Sequence, residues 1–277
     1  MSMSYSEITR VGFTTKHQKE LIIQDLLTKL NVELVLAGYD TDLLGTFSGE
    51  IPRLLSHQEA ALKKAELAIE LLNLPIGLGS EGSIGSDPVV PFLNSDIETL
   101  AWVDRERGYH LLITHKSFDI VARQKLVTRS ADIAELVHYF DLPNHAVIVK
   151  TPSLGFLKKG ISHSEDLKLA LDAAFKVSDE ITIETDFRAH LSPSRQKVIR
   201  ECGMKLTTAL GSSCPHCGNP GWMVTGHQYG LPCEHCGLMV AKVAHGEILS
   251  CPKCPHQEVR SLYLQVADPA LCDACNP

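Results

Sequence analysis

The sequence lacks the long apolar segment that would place it in a membrane. It contains no apolar run of about 18 residues or more, and its amino-terminal segment shows no apolar stretch with a cleavage site. It also lacks an excess of positive charge, because the formal net charge is −7. No global basic field therefore recruits nucleic acid or an anionic membrane. We expect a soluble, cytoplasmic protein that grips any anionic ligand locally.

The composition excludes a disordered chain. Of 277 residues, 44% are hydrophobic and 21% are charged, which is enough to bury a core without cross-links. The length allows one large domain, or a medium domain with a small companion.

Cysteine usage divides the chain in two. Cys202 stands alone in an apolar helical pattern, where a core position is the expected one. The other eight of the nine cysteines form four C-x-x-C pairs: Cys214/Cys217, Cys233/Cys236, Cys251/Cys254 and Cys272/Cys275. Because thiols stay reduced inside cells, regular pairs of this kind indicate zinc sites rather than disulfides. The sequence predicts two structural Zn²⁺ ions.

The spacing of the pairs suits two zinc ribbons. Intervals of 15, 14 and 17 residues each fit a β-hairpin, which favours pairing in sequence order. The predicted sites are then Cys214/Cys217/Cys233/Cys236 and Cys251/Cys254/Cys272/Cys275, although nested or interleaved pairing satisfies the same spacings. Four thiolates fill the metal shell, so neither site is catalytic. The neighbouring histidines His216, His235 and His256 could replace a cysteine, but complete pairs favour a position beside the metal or on the surface.

The cysteine region carries too little positive charge for nucleic acid. Residues 211–277 contain three Lys/Arg and five Asp/Glu, before the thiolates are counted. Binding through phosphate contacts is therefore disfavoured. The charge of this region fits better with a role in stabilising the fold or in contacting another protein.

The first part of the chain alternates short β-rich runs with amphipathic stretches. This pattern predicts an α/β fold with a mixed central sheet flanked by helices over residues 1–210, followed by a small β-rich zinc-ribbon region over 211–277. The predicted helices cover 16–30, 57–72, 131–140, 164–177 and 193–209. After residue 76 a buried strand is expected to deliver a glycine-rich loop, and the long polar segment 39–53 is a candidate functional loop.

Polar clusters follow these predicted strands. They are the segment Thr14 to Lys19, the acidic residues Asp40, Asp42 and Glu50, Glu59 on the next helix, and the segment Gly79 to Ser83. Ligands of open α/β sheets collect at the carboxyl ends of strands. Lysines and hydroxyls opposite carboxylates suit a phosphate with Mg²⁺. The alternatives are solvated lysines and a Glu59 that only completes a capping box with Ser56.

One further connection is dense in charge. A strand ends at about Thr185, and a helix begins with Ser192 and Pro193. Between and just after them lie Asp186, Arg188, His190 and Arg195, a set suited to clamping an anion. A salt-bridged surface loop is the alternative.

These motifs resemble those of the house-cleaning pyrophosphatases that hydrolyse inosine and xanthosine triphosphates. The shared order is TTKHQKE at a helix start, E-x-A-x-x-K-A from Glu59 to Ala65, and a strand ending GLGSEGSIG in an acidic glycine-rich turn. The resemblance implies that Lys19 touches phosphate and that Glu59 and Glu81 serve the metal. The whole chain looks similar to an uncharacterised bacterial family that joins such a domain to a C-terminal double CxxC region, through DTDLLGTFSGEIPR, GLGSEGSIGSDP and ADPALCDACNP.

The leading hypothesis is a metal-dependent phosphohydrolase acting on a nucleotide or related phosphate compound. Its catalytic candidates are Glu59, Glu81, Asp42 and Lys19, with Mg²⁺ on the carboxylates. Its ligand-binding candidates are Thr15, Lys16, Ser80, Ser83, Asp186, Arg188, His190 and Arg195. The rival hypothesis is a non-catalytic protein that binds a small anion, or an adaptor that uses the zinc region for protein contacts.

Overall fold

The computed structural model describes residues 8–41 and 54–277 and confirms the predicted α/β fold class. The first sheet contains β1 (Thr9–Thr14), β2 (Val32–Leu36), β3 (Ile76–Ser86), β4 (Asn94–Asp104) and β5 (Tyr109–Ser117). Its strand order is β2-β1-β3-β4-β5. β1 runs parallel to both of its neighbours, whereas β4 pairs antiparallel with β3 and β5. The sheet is therefore mixed, as expected.

Three helices cover the two faces of this sheet: α1 (Lys19–Leu27), α2 (His57–Leu72) and α5 (Pro193–Leu210). The alternation of side chains along β4 determines which helix packs where. Leu100 and Trp102 join the buried cluster formed with α1 and α5. Ala101, between them in sequence, packs against Ala61 and Ala65 of α2 on the opposite face.

Local signals in the sequence set the starts of two helices. The Ser56 side chain accepts a hydrogen bond from the Glu59 N–H, and the Glu59 carboxylate accepts one from the Ser56 N–H, which completes the predicted capping box of α2. Helix α5 begins at Pro193, where the missing N–H costs no helical bond.

The prediction of a glycine-rich loop after residue 76 is wrong. The segment stays in β3 as far as Ser86, which pairs with Asn94 of β4. The reason is that the long antiparallel partner β4 satisfies the backbone of the whole segment, so the glycines serve strand packing instead of a loop.

A second sheet has its own helices and its own core. It contains β6 (Gln124–Val127), β7 (Val147–Lys150), β8 (Leu157–Ile161) and β9 (Ile181–Thr185), in the order β6-β9-β7-β8, with α3 (Ile133–Phe140) and α4 (Ser164–Ala174) packed on it. Phe140, Val147, Leu167 and Ile181 are at its centre. The short β6 and β8 were not predicted, because their polar residues show no clear alternation.

The third sheet forms the β-rich region predicted at the C-terminal side. It contains β10 (Met223–Pro232), β11 (Met239–Ser250) and β12 (Gln257–Ser261), all antiparallel. Met223 packs against the core of the first sheet, so the start of β10 contacts the α/β part. Single 3-10 turns occur at Thr28–Leu30, Pro152–Leu154, Ala189–Leu191 and Pro269–Leu271. None of the helices in the described ranges has the length and apolar character needed to cross a membrane.

Candidate functional site

The eight paired cysteines form two clusters of four, but the predicted pairing in sequence order is wrong. One cluster contains Cys214, Cys217, Cys251 and Cys254, and the other contains Cys233, Cys236, Cys272 and Cys275. The pairs are interleaved: the first joins the third, and the second joins the fourth.

The length of the hairpin explains this arrangement. The first and third cysteine pairs lie beside the Met223↔Ser250 end of the β10–β11 ladder, and the second pair lies beside its Pro232↔Met239 end. Strands of ten and twelve residues, at about 3.3 Å per residue, hold these ends about 30 Å apart. Consecutive pairs therefore cannot share an ion. The segment after β12 returns along the sheet and brings the fourth cysteine pair next to the second cysteine pair. There, Cys233 and Ala267 form a single β-bridge through their backbones.

Each cluster can hold one metal ion. The Sγ atoms of facing cysteines lie 3.6–3.9 Å apart. Four sulfurs around a tetrahedral zinc, each at about 2.3 Å, would be separated by about 3.8 Å. A hydrogen bond from the Cys236 backbone lowers the pKa of the Cys233 thiol to about 7, whereas a hydrogen bond with the Cys236 side chain raises the pKa of Cys275, in the same cluster, to about 12. This geometry is consistent with closed, structural zinc sites.

The histidines beside the clusters are neighbours of the sulfurs. The Nδ1 atom of His216 lies 4.0 Å from Cys254 Sγ, and that of His235 lies 3.8 Å from Cys275 Sγ. His256 stacks between His216 and Trp222, with ring centroids 5.4 Å from each. Both four-ligand groups contain cysteines alone.

A second candidate site lies at the carboxyl end of β1, where six ionisable residues are buried together. We call it the buried charge cluster; it consists of Lys19, Lys64, Glu81, Asp96, Glu98 and Arg195. Strand β1 ends at Thr14, opposite Gly79, while β3 and β4 continue beyond it and carry three of the six residues. In open α/β sheets this edge is where ligands bind.

Glu98 is the centre of the cluster on the face covered by α1 and α5. Its Oε2 atom lies 3.0 Å from Lys19 Nζ, and its Oε1 atom lies 2.6 Å from Arg195 Nε. Lys19 also donates to Ser80 Oγ, at 2.9 Å. Burial lowers the pKa of Lys19, and the charge of Glu98 opposes this effect. Two cations thus share one carboxylate that is only 1% exposed.

Glu81 lies on the opposite face of β3, toward α2. Its Oε2 atom is 2.5 Å from Lys64 Nζ, and its Oε1 atom accepts a hydrogen bond from the Gly82 N–H at 3.1 Å. Lys64 also reaches the Ser80 carbonyl, at 3.4 Å. The middle of β3 is therefore held between cations from two helices.

Asp96 has the most unusual environment in the cluster. Its side chain is 0% exposed, and neither carboxylate oxygen has a hydrogen-bond partner among the described residues. Burial, with a further contribution from Glu98, raises the pKa of Asp96 to about 8. Thr14 Oγ1, at the end of β1, is a second buried oxygen without a partner in the described part of the chain. Buried polar atoms of this kind are commonly satisfied by water or a ligand.

Sequence reasoning identified three of the six cluster residues as site residues, namely Lys19, Glu81 and Arg195. It missed Asp96 and Glu98, and it treated Lys64 only as part of a motif. A signal was present: Asp96, Glu98, Leu100 and Trp102 share one face of β4. Carboxylates that continue a buried apolar face point inward and require partners.

Several of the loop candidates contact other loop residues. Lys16 forms an exposed ion pair of 2.8 Å with Asp40, which joins the loops that follow β1 and β2. Thr15 donates to the Lys16 carbonyl, and Ser83 lies half-buried on β3. The imidazole of His190 stacks on that of His17, with centroids 5.7 Å apart. The connection before α5 therefore meets the loop after β1.

Arg188 and Arg195 have different partners. Arg188 binds its neighbour Asp186, with its Nη2 atom 2.6 Å from Oδ2, and Asp186 also accepts from the Gly160 N–H. Arg195 instead enters the charge cluster and donates to the Phe187 carbonyl as well as to Glu98. The structure thus brings one of these two arginines to the cluster.

The remaining catalytic candidates stand apart from the cluster or outside the description. Glu59 is exposed, and its hydrogen bonds with Ser56 lower the pKa of its carboxyl. This is the capping-box role that was the alternative for this residue. Asp42 and Glu50 lie outside the described residues.

Comparison with known proteins places the chain in a family. No curated protein matches it. Residues 64–277 match the model of a family described as Domain of unknown function (DUF6671). The matched range contains both cysteine clusters and every member of the charge cluster except Lys19. Because the match covers more than half of the chain, the protein belongs to the DUF6671 family.

Proposed function

We propose that the chain binds a nucleotide or related phosphate compound at the buried charge cluster and hydrolyses a phosphate bond in it. The observation that carries the proposal is the pair of buried cations Lys19 and Arg195 on the same face of the sheet as Asp96, whose carboxylate oxygens have no partner among the described residues. The cluster lies where ligands of open α/β sheets bind.

The charge balance supports an anionic ligand. Among the described members of the cluster, Lys64 pairs with Glu81 on one face of the sheet, and Lys19 and Arg195 share Glu98 on the other. With Asp96 protonated, the cations of this described set exceed its ionised carboxylates by one. An approaching phosphate would restore the pKa of Lys19, since an opposite charge stabilises the ammonium form. Arginine adds a rigid donor fork suited to phosphate oxygens.

The described residues do not fit a ready-made Mg²⁺ site. Glu81 is engaged by Lys64 and Gly82, and Glu98 by Lys19 and Arg195. The only groups of three or more ligand atoms at metal-binding distances in the described ranges are the cysteine clusters. We therefore assign no step of the reaction to Mg²⁺, and the assay is run both with and without added Mg²⁺.

A nucleoside triphosphate panel tests this proposal. The protein is incubated with each triphosphate, with Mg²⁺ or with a chelator that spares tightly bound zinc, and released phosphate and pyrophosphate are measured. Lys19→Met should lower kcat/KM at least about tenfold, because a charged hydrogen bond to phosphate contributes about 1.5–3 kcal/mol. Lys197→Met, on the exposed side of α5, should leave the rate unchanged.

The second candidate function is a non-catalytic binder whose zinc region contacts a protein. Its support is the set of exposed apolar side chains on that region: Tyr229, Leu238, Met239, Val259, Tyr263 and Leu264. Exposed apolar side chains that form a contiguous patch commonly mark an interaction site. Calorimetry with a non-hydrolysable triphosphate, together with the turnover assay, separates the two functions. Binding without turnover supports the second function. The absence of both binding and turnover refutes a phosphate ligand.

A further inference from the structure

A polar group outside the charge cluster connects the turn before β7 to the start of α5. His145 Nδ1 lies 2.8 Å from Asp141 Oδ2, and His145 Nε2 lies 2.9 Å from Ser194 Oγ. His145 is only 5% exposed, so packing holds its ring in this orientation. A hydroxyl, an imidazole and a carboxylate therefore stand in line, in the order that nucleophilic catalysis requires.

The neighbouring hydrogen bonds determine where the protons are. Hydrogen bonds from Asn144 and His145 lower the pKa of Asp141, so its carboxylate is ionised and can only accept. The Nδ1 atom of His145 therefore donates to Asp141, and Nε2 is the ring nitrogen that faces Ser194. The Ser194 N–H also approaches Nε2, at 3.4 Å, as expected for an acceptor.

The hydrogen bonds around Ser194 place its hydroxyl beside His145. The Val121 N–H donates to Ser194 Oγ at 3.2 Å, and Ser192 Oγ lies 3.5 Å from it, so His145 Nε2, at 2.9 Å, is the nearer of its two side-chain partners. Ser194 also lies in the first turn of α5, where the helix dipole favours negative charge on a nearby oxygen. Ser194 is half-buried and the Asp141 side chain is 43% exposed, so the group lies near the surface.

We propose that Ser194, His145 and Asp141 form an acyl-transfer site for a small ester, distinct from phosphate chemistry at the charge cluster. Ser194 Oγ forms a bond to the carbonyl carbon as its proton passes to His145 Nε2. The ester C–O bond then breaks, and the alcohol leaves with that proton. Water attacks the acyl-serine, gives one proton to Nε2 and releases the acid, and Ser194 recovers its proton. Asp141 is a positioning residue, because it acts through His145.

A fluorophosphonate probe tests the nucleophile directly. Attack by Ser194 forms an O–P bond and breaks the P–F bond, and fluoride leaves with the hydroxyl proton. We expect one adduct per chain by intact-mass measurement, mapped by peptide sequencing to Ser194. Ser194→Ala should abolish the adduct, while Ser130→Ala, which removes an exposed serine, should leave it unchanged. Mapping on the unaltered chain requires no variant, so a folding defect cannot obscure it.

His145→Gln tests the base. Loss of general base catalysis should slow labelling at least about 100-fold, with near-native circular dichroism. The proposal is overturned if the probe labels a known serine hydrolase but not this chain, or if the adduct maps to another residue. It also fails if His145→Gln is labelled at the original rate.

Asp141→Asn tests positioning with a spectroscopic readout. A His Nδ1–H bonded to a carboxylate gives a far-downfield proton resonance. That resonance should disappear in His145→Gln and move upfield in Asp141→Asn, together with labelling that is at least about tenfold slower. A purely structural hydrogen bond would also lose this resonance in Asp141→Asn, but the labelling rate of the folded variant would then equal that of the unaltered chain, so the labelling rate separates the two roles.

Discussion

Glu98 has a stabilising role that follows directly from its partners. It is the shared counter-charge of Lys19 and Arg195, and all three side chains are nearly inaccessible to water. Removing one partner of a buried ion pair leaves an uncompensated charge, which costs about 3–5 kcal/mol. Glu98→Ala should lower the free energy of unfolding by about this amount in urea denaturation. Asp119→Ala, which breaks the exposed pair with Lys197, should have a much smaller effect. Equal losses in the two variants would contradict the central role of Glu98.

Asp96 should make stability depend on pH in an unusual direction. Because its pKa is raised to about 8 in the folded chain, the folded state holds a proton that the unfolded state has released. Its contribution to the unfolding free energy therefore falls as pH rises from about 5 to about 8, by up to about 1.4 kcal/mol per pH unit. Asparagine has the shape of a protonated aspartate but does not titrate. In Asp96→Asn, the free energy of unfolding, measured by denaturation at several pH values, should therefore depend less on pH. Identical slopes would show that Asp96 is ionised when folded.

At the scale of elements, α2 packs directly on the backbone of β3. A Cβ atom at Gly79 would lie 1.9 Å from the Ala61 carbonyl oxygen, so only glycine permits this distance between helix and strand. Gly79→Ala should displace α2 and destabilise the fold by about 1–3 kcal/mol or more, measured by thermal unfolding. Gly85→Ala, on the same strand with open space around it, is the control and should stay near the original stability. A comparable loss at both positions would argue against close helix packing.

Interleaved cysteine pairs give a distinctive metal stoichiometry in double variants. Cys217→Ser with Cys251→Ser removes two ligands from one cluster, so one zinc per chain should remain in native mass spectrometry. Cys217→Ser with Cys233→Ser removes one ligand from each cluster and should cost both ions. Pairing in sequence order would reverse these two results.

The same elements show what could be predicted from the sequence and where prediction failed. The starts of α2 and α5 were predictable, because Ser56 with Glu59 and Pro193 act within one helical turn. The cysteine pairing was not, because it depends on how far the β10–β11 hairpin extends before it turns. The roles of Glu98 and Asp96 depend on cations from α1 and α5, far away in sequence. Short-range signals thus located the elements, and the long-range charge partners needed the fold.

For the whole molecule, α5 connects the candidate sites. Its first turn carries Ser194 beside His145, which precedes β7 of the second sheet, and the next residue, Arg195, enters the charge cluster of the first sheet. Its later turns pack Cys202 and Leu206 into the first core. Any movement of the second sheet relative to the first would therefore change the positions of residues at both sites, because α5 contributes to each of them.

The two cysteine clusters differ in their connection to the rest of the molecule. The cluster containing Cys217 lies next to Gly221, where an added Cβ would meet Leu111 of β5 at 2.9 Å, and next to Met223, which packs on the first core. The cluster containing Cys236 belongs to a separate small core around Leu231, Val240 and Ala267. Loss of the first cluster should therefore reach the α/β part, whereas loss of the second should stay local.

Matched variants can measure this difference, because Cys217 and Cys236 are both exposed second members of a C-x-x-C pair. In hydrogen exchange, Cys236→Ser should speed exchange over residues 231–240 and 267–277 and leave β5 protected, because its contacts end within the small core. Cys217→Ser should speed exchange over residues 214–224 and 251–256 and also in β5, and should lower the main melting temperature further. Equal effects of the two variants on β5 would mean that the β-rich region and the first sheet unfold as one cooperative unit.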